Sequence, residues 1–179
     1  MTWTLDAADG DLHILTDVAG PAARMGHRLT ILVASWSASV EWAGEHPGAV
    51  TLVADIGSPS VESGEGGVTP LSGPERALAR SNARKSLSAQ QFPTVSFESS
   101  TVTPSDRGYR LTGELHIHGR RREHSVDVQV DERGDTWHMS TRSTVRQSDF
   151  GVKPYSMLMG SMRVADPVTV TFSATRAKD

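Results

Sequence analysis

The chain contains no cysteine and no long apolar run. Without cysteine it cannot form a disulfide bond, a thiolate metal site, an iron–sulfur cluster or a thiol nucleophile, so the protein classes that depend on them are excluded. Every apolar run falls short of the roughly 18 consecutive residues that a membrane-spanning helix needs. The N-terminal residues show neither the basic region nor the apolar segment of an export signal. We therefore predict a cytoplasmic protein without a membrane span.

Aromatic residues are few, at 6%, and the charges nearly balance, with 18 Lys and Arg against 21 Asp and Glu. A net charge of -3 disfavours nucleic-acid binding as the main task, because duplex-binding domains are usually basic. The charge is nevertheless uneven, at -7 over residues 1–67 and +4 over residues 68–179. This pattern indicates either an acidic and a basic face or a solvated surface of unequal sign. The length of 179 residues predicts one domain over 1–179.

Apolar and polar residues alternate in about eight segments of the chain. This period of two residues is typical of antiparallel strands with one buried face. Between Val33 and Trp36 the apolar phase shifts by one residue, which predicts a bulge or bend near Ala34–Ser35. Glycine- and proline-containing turns separate the segments, and the last four strands are expected to form a meander.

One segment departs from this alternation. Ser72 followed three residues later by Glu75 forms the sequence pattern of a capping box, which predicts a helix over about 73–88. Shorter helical turns are predicted at Pro21–Met25 and Pro154–Met159.

Eight antiparallel strands with one apolar face form either two packed sheets or a closed barrel. A barrel of about eight strands is filled by side chains or holds one small ligand. Several predicted inward positions carry small residues, which favours a cavity over a filled core. These positions are Ala54, Ser99, Gly113, Thr141, Ser143 and Ala174.

Three histidines form a candidate metal site. His116 and His118 stand two residues apart, and His124 follows across the adjoining turn at Gly119. Imidazole nitrogens are common zinc ligands, so the three side chains predict a metal site if they converge. The alternative is an exposed polar face beside a hairpin.

Basic residues form a second pattern on the predicted helix, where Arg76, Arg80 and Arg84 recur every four residues. Such a stripe suits phosphate or an anionic membrane surface, and the alternative is a solvated face. No spacing selects a catalytic triad, and Asp149-Phe150-Gly151 lacks the other motifs of a kinase.

Several segments resemble the YceI-like family, in the family's order and over nearly the whole chain. They are Gly26-His27 before Leu29-Thr-Ile31, Phe92-Pro-Thr-Val-Ser-Phe-Glu-Ser99, Leu111-Thr-Gly-Glu-Leu-His-Ile-His-Gly119, Ser148-Asp-Phe-Gly151, Met159-Gly-Ser-Met-Arg-Val164 and Asp166 to Phe172. The resemblance implies an all-β fold, a single lipocalin-like up-and-down antiparallel barrel of about eight strands with one main helix. It also implies an apolar tunnel that takes a polyisoprenoid or similar lipid, without catalysis or cofactor. Exported members and dimers are common in the family, so a homodimer is a possible assembly.

The chain departs from the family pattern at three places. Leu12-His13-Ile14 lacks the serine of an Asp-x-x-His-Ser motif, and Arg84-Lys-Ser-Leu87 replaces an Asp-x-His-Leu run at the helix end. Gln147 stands where an arginine usually precedes Asp-Phe-Gly by two residues. These positions lie near the expected site of the lipid's polar end, so the resemblance does not define the head group.

We predict that the inward faces of the strands contact the lipid, with Trp36 and Trp42 near a mouth and His27 orienting a polar end. The predicted aliphatic and aromatic contacts are Ile31, Val33, Val95, Phe97, Leu111, Leu115, Val126, Val128, Val168, Val170 and Phe172. Two alternatives remain: a metal-binding protein or enzyme that uses His116, His118 and His124, and an interaction domain with a filled core and no ligand.

Overall fold

The computed structural model describes residues 1–178, in which β-strands dominate. The strands are β1 (Thr2–Asp6), β2 (Gly10–Leu15), β3 (Val18–Ala19), β4 (His27–Ala43), β5 (His46–Gly66), β6 (Thr94–Ser105), β7 (Gly108–Ile117), β8 (Arg120–Arg133), β9 (Thr136–Arg146), β10 (Ser156–Met157), β11 (Met162–Val164) and β12 (Pro167–Ala177). The helix α1 spans Gly73–Ser86, and short 3-10 turns lie at Ala23–Met25, Gln147–Phe150 and Leu158–Gly160. No helix in residues 1–178 is long and apolar enough to cross a membrane.

Eight of the strands close a barrel. Strands β4 to β9 follow one another as antiparallel neighbours, β12 pairs with β9 and with β2, and β2 returns to β4. Strand β1 pairs with the second half of β4, beside the half that β2 occupies. The predicted antiparallel up-and-down barrel with one helix is therefore confirmed.

The predicted bulge in β4 is also confirmed, because the register between β4 and β5 shifts between Val33 and Ser35. One extra residue at a bulge reverses which alternate positions face inwards. Val33 before the bulge and Ala38 after it therefore both face the interior, although they are an odd number of residues apart. The bulge lets the 17-residue strand β4 present apolar side chains to the interior along both of its halves.

A second bulge explains two of the small residues. The register between β6 and β7 shifts between Glu98 and Thr101, opposite Gly113. A Cβ atom at Gly113 would lie 2.0 Å from the carbonyl oxygen of Glu98, so the close approach of the backbones requires glycine. The buried hydroxyl of Ser99 donates a 2.7 Å hydrogen bond to the carbonyl oxygen of Thr112. Ser99 and Gly113 thus serve the bulge and are not part of the cavity wall.

The helix begins at the predicted capping box. The Glu75 backbone N–H donates to the Ser72 hydroxyl at 3.3 Å, and the Ser72 N–H donates to the Glu75 carboxylate at 2.7 Å. The Ser72 backbone N–H first, and then the Ser72 hydroxyl, stabilise the Glu75 carboxylate and hold the pKa of Glu75 below its usual value. The helix ends at Ser86, two residues before the predicted end at 88.

The two ends of the barrel differ in construction. At one end, called the mouth end below, lie α1, the β7–β8 turn, the 3-10 turns and a three-stranded sheet of β10, β11 and β3. The turn Ala23–Met25 lies within the predicted region 21–25, the turn Leu158–Gly160 overlaps only the end of the predicted region 154–159, and the turn Gln147–Phe150 was not predicted. At the opposite end lie the β4–β5, β6–β7 and β8–β9 turns.

Candidate ligand-binding cavity

The barrel encloses a cavity of about 780 Å³, near the upper part of the range for small-molecule sites. All eight barrel strands contribute to its wall, together with α1 and residues 147–164. Aliphatic and aromatic side chains form most of the wall, and its ionisable groups are His27, Glu75, His124 and Arg163 with the phenols of Tyr109 and Tyr155. Buried side chains surround the cavity in two clusters, one that includes Trp36 and Leu12 and one that includes Phe97 and Phe150.

The strand alternation located the wall well. The eleven predicted aliphatic and aromatic positions all lie in it, namely Ile31, Val33, Val95, Phe97, Leu111, Leu115, Val126, Val128, Val168, Val170 and Phe172. Trp42 and His27 lie in it as well. Trp36 does not: its buried indole ring packs edge to face on Phe172, with ring centroids 5.1 Å apart. The Phe172 ring belongs to the wall, so Trp36 forms part of the layer that supports it.

Aromatic rings concentrate at the end opposite the mouth. The rings of Trp3 and Trp42 lie 4.6 Å apart at a tilt of 58°, and the Arg176 guanidinium stands 4.9 Å from the Trp3 ring. Tyr109 and Trp137 complete this aromatic part of the wall. Trp42, which the sequence placed near a mouth, therefore lies at the end remote from α1.

His27 lies in the wall at the mouth end, and its ring is already engaged. Its Nε2 is 2.8 Å from the carbonyl oxygen of Thr69. A carbonyl oxygen only accepts, so Nε2 donates to it. The ring also packs closely under Gly67, where a Cβ atom would approach it to 2.5 Å. His27 thus holds the segment after β5 in place and has one nitrogen left for another partner.

His124 is the polar group farther inside the cavity. Its Nε2 lies 2.7 Å from the hydroxyl of Ser143, and its ring meets the edge of Phe97 at a centroid distance of 6.5 Å. Burial lowers the pKa of His124, because the apolar surroundings disfavour the charged imidazolium. The spacing of His124 from His116 and His118 predicts a metal ligand, whereas the structure places His124 in the cavity wall. The alternation along its strand predicts that His124 faces inwards, because it stands two and four residues before the inward Val126 and Val128.

A family model of the YceI-like domain matches residues 3–176. The chain belongs to the YceI-like family. This agrees with the resemblance of the motifs and with the closed barrel. Among curated proteins, no match reaches significance.

Solved structures of YceI proteins share the fold of this YceI-like chain. The crystal structure of Burkholderia cenocepacia BcnA is 19% identical, with a TM-score of 0.74 over 97% of this chain and 99% of that one. The Campylobacter jejuni YceI protein is 13% identical, with a TM-score of 0.62 over 83% of this chain and 84% of that one. A mutant of the latter, solved with a monobromobimane guest, is 14% identical with the same TM-score and coverage. At these identities the likeness concerns the fold alone.

The three histidines of the candidate metal site do not converge in this YceI-like barrel. His124 faces the cavity, His116 is not in the wall, and the ring of His118 binds the Phe150 carbonyl oxygen and the Ser88 hydroxyl. Within residues 1–178 no group of three His, Asp or Glu side chains is placed to hold a metal ion. The geometry therefore does not support the metal-site hypothesis.

Much of the cavity wall at the mouth end comes from residues that were not among the predicted ligand contacts. Leu78, Asn82 and Leu87 contribute to the wall from α1 and its end, and Tyr155 and Met162 contribute from the segment after β9. These segments lack the period of two residues that reveals an inward strand face. In α1 the helical period places Leu78 and Leu87 opposite the stripe of arginines, whereas the segment after β9 has no regular period that indicates which side chains face the cavity.

Proposed function

We propose that this YceI-like protein binds and carries a long apolar lipid of the polyisoprenoid type in the barrel cavity, without changing it chemically. The observation that supports this most directly is the cavity of about 780 Å³ with its mostly aliphatic and aromatic wall. Packed interiors contain few voids larger than a water molecule, so a space of this size favours a binding protein over a domain with a filled core.

The wall suits a slender apolar ligand. Burial of each CH₂ group contributes about 0.8 kcal/mol, so two or three isoprene units contribute on the order of 8–12 kcal/mol before losses. The lost freedom of the ligand and of side chains removes several kcal/mol of this. Micromolar binding is therefore expected without strong polar contacts, and ligands that differ by a methylene group should differ little in affinity.

The polar groups of the wall already serve the fold. His124 is paired with Ser143, His27 donates to Thr69, and Glu75 belongs to the capping box of α1. These pairings support a structural role for the polar groups of the wall. They agree with a ligand that is released chemically unchanged. We further propose that the eleven predicted wall residues contact the chain of the lipid and that His27 contacts its polar end through Nδ1. The cytoplasmic location and the homodimer stay predictions.

Native mass spectrometry tests this function. The protein, purified without detergent, is measured as isolated and after incubation with geranylgeraniol, with glycerol as a polar control. We expect a bound species with one lipid per chain and no shift with glycerol. A protein that carries no lipid after gentle extraction and takes up no added isoprenoid would overturn the proposal.

A further inference from the structure

Exposed apolar side chains concentrate around the mouth end. Eight large apolar residues are exposed in residues 1–178, and six of them lie at this end: Met25, Val68, Leu78, Met157, Leu158 and Met159. These six residues are called the apolar rim. Four of them, Met25, Leu78, Met157 and Leu158, also belong to the cavity wall. The apolar surface thus continues from the interior to the outside of the barrel.

The turn between β10 and β11 holds the most exposed member of the rim. Leu158 and Met159 adopt φ values of 51° and 57°, a left-handed conformation that bulky residues rarely take. The Ser161 hydroxyl supports the turn by donating to the Leu158 carbonyl oxygen at 2.7 Å. Met159 is fully exposed, so the strained turn presents it to solvent instead of packing it. Strain of this kind at non-glycine residues concentrates at functional sites.

Positive charge surrounds the same end. The segments that build it, residues 16–28, 64–88, 118–122 and 147–166, hold eleven Lys and Arg and five Asp and Glu, a net charge of +6. The rest of the chain holds seven bases and sixteen acids, a net charge of -9. The barrel is therefore polarised from end to end, although the whole chain has a net charge of only -3. The uneven charge of the sequence corresponds to a basic mouth end.

Most of these bases lack an acidic partner. Two of the eleven form salt bridges, Arg28 with Glu65 at 3.4 Å and Arg121 with Glu114 at 3.5 Å. Within the described part of the chain, the other nine have no carboxylate oxygen within 4.0 Å. Arg122 and Arg163 donate to the carbonyl oxygens of Asp149 and Gly160, at 3.1 and 3.5 Å. A carbonyl oxygen does not neutralise a guanidinium, so the positive charge of these nine bases is available to an anionic partner.

We propose that the mouth end docks on the surface of an anionic lipid bilayer, with the apolar rim inserted at the level of the head groups and the bases facing acidic lipids. Apolar insertion combined with basic residues is the chemistry that membrane-surface segments use. Two copies joined mouth to mouth would bring two ends of +6 together, so the charge disfavours a second chain as the occupant. The inference rests on the proposed function, because docking in this orientation lets a lipid pass from the bilayer into the cavity.

Flotation with vesicles that contain no isoprenoid tests the docking. We expect binding to phosphatidylcholine vesicles that contain phosphatidylglycerol, much weaker binding to phosphatidylcholine alone, and release as salt is raised. Met159→Asp should weaken binding to the anionic vesicles roughly tenfold, and Met159→Leu should preserve it. Asp tolerates the left-handed conformation, so this variant is expected to fold. The matched control Val53→Asp changes an exposed apolar residue outside the rim and should leave binding unchanged.

Charge is tested separately with Arg24→Gln combined with Lys153→Gln. Both bases belong to mouth segments but not to the cavity wall. The double variant should lose roughly ten- to thirtyfold of its binding to anionic vesicles, since each base near such a surface contributes about 1 kcal/mol. Unchanged binding of both this variant and Met159→Asp would overturn the proposal.

The orientation is tested by fluorescence. Because the chain has no cysteine, Met159→Cys and Val53→Cys each allow one environment-sensitive label. The label at 159 should shift to the blue on anionic vesicles, and the label at 53 should not. Trp3, Trp42 and Trp137 lie at the opposite end, so bilayers with brominated chains should not quench them. Quenching of the tryptophans would overturn the proposed orientation. A dimer that dissociates in the Met159→Asp variant would show that a second chain, and not the bilayer, covers the apolar rim.

Loading from a dilute solution of geranylgeraniol without vesicles separates the two proposals. A protein that loads from solution but binds no vesicle would refute the docking and leave the carrier function standing. A protein that binds anionic vesicles but never loads would refute the carrier function and retain the docking.

Discussion

The ring of His118 donates a hydrogen bond from Nδ1 to the carbonyl oxygen of Phe150, 3.3 Å away and 32 residues later in the chain. Because a carbonyl oxygen only accepts, Nδ1 carries the proton, and Nε2 lies within hydrogen-bond distance of the Ser88 hydroxyl, at 3.2 Å. The ring also packs edge to face against Phe92, at a centroid distance of 5.1 Å. One side chain thus joins the β7–β8 turn, the end of the helical region and the segment after β9.

Two substitutions at His118 separate its bridging role from its role in the turn. His118 and Gly119 have φ values of 54° and 72°, the two-residue turn for which Asn-Gly is preferred. His118→Asn should therefore keep the turn, lose the bridge and lower the free energy of unfolding by about 1 kcal/mol. His118→Ala loses both and should lower it by about 2–3 kcal/mol. Urea unfolding measures both variants. Wild-type stability in His118→Ala would show that the bridge adds nothing.

Filling the cavity should weaken lipid uptake without unfolding the protein. Val126 lies in the wall on β8, so the added volume of Val126→Phe would enter open space. In a packed core such an overpacking change lowers stability by about 1–3 kcal/mol, whereas here we expect an unchanged or raised melting temperature. Native mass spectrometry should show less bound geranylgeraniol. The control Gln129→Phe, at an exposed position of the same strand, should bind as the wild type does. A clear loss of stability in Val126→Phe would contradict a hollow interior.

His124 predicts a dependence of stability on pH. Its folded-state pKa lies below the ordinary value of 6.5 because of burial, so the unfolded chain takes up the proton first as the pH falls. The stability that the neutral ring contributes is present above about pH 6.5 and is lost as the pH falls through the lowered pKa. The difference in unfolding free energy between the wild type and His124→Gln should therefore shrink over this range.

The control for this effect is His46→Gln, which changes an exposed histidine at the opposite end. It should preserve the wild-type pH dependence in unfolding experiments at stepped pH. A difference between wild type and His124→Gln that stays constant between pH 7.5 and about pH 5 would contradict the assignment of a neutral buried ring.

Gly113→Ala should destabilise the barrel strongly, although it adds only one methyl group. The new methyl group would lie 2.0 Å from the Glu98 carbonyl oxygen, so the bulge in β6 would have to move. We expect a loss of about 2 kcal/mol or more in the free energy of unfolding. Gly73→Ala is the matched control, since a Cβ atom there meets nothing within 4 Å, and its stability should equal or exceed that of the wild type. Equal stability of the two variants would show that the bulge in β6 can move to accept a methyl group at position 113.

The sequence alone determined those features that depend on neighbouring residues. Alternation identified the inward face of the strands, the shift of phase after Val33 located the bulge, and Ser72 with Glu75 located the start of the helix. Each of these depends on backbone geometry within a few residues, so the chain records it locally. The eleven aliphatic and aromatic wall positions follow from the same alternation.

Only the tertiary structure decided what depends on the closure of the barrel. Closure set Trp36 behind Phe172, separated His116, His118 and His124, and brought α1 and residues 147–164 together at one end. The apolar rim and the net charge of +6 exist only there, because residues from four distant segments meet at the mouth. Local patterns specify which way a side chain faces. Which distant side chains it meets is set by the pairing of β4 with β5 and of β12 with β2, across long stretches of chain.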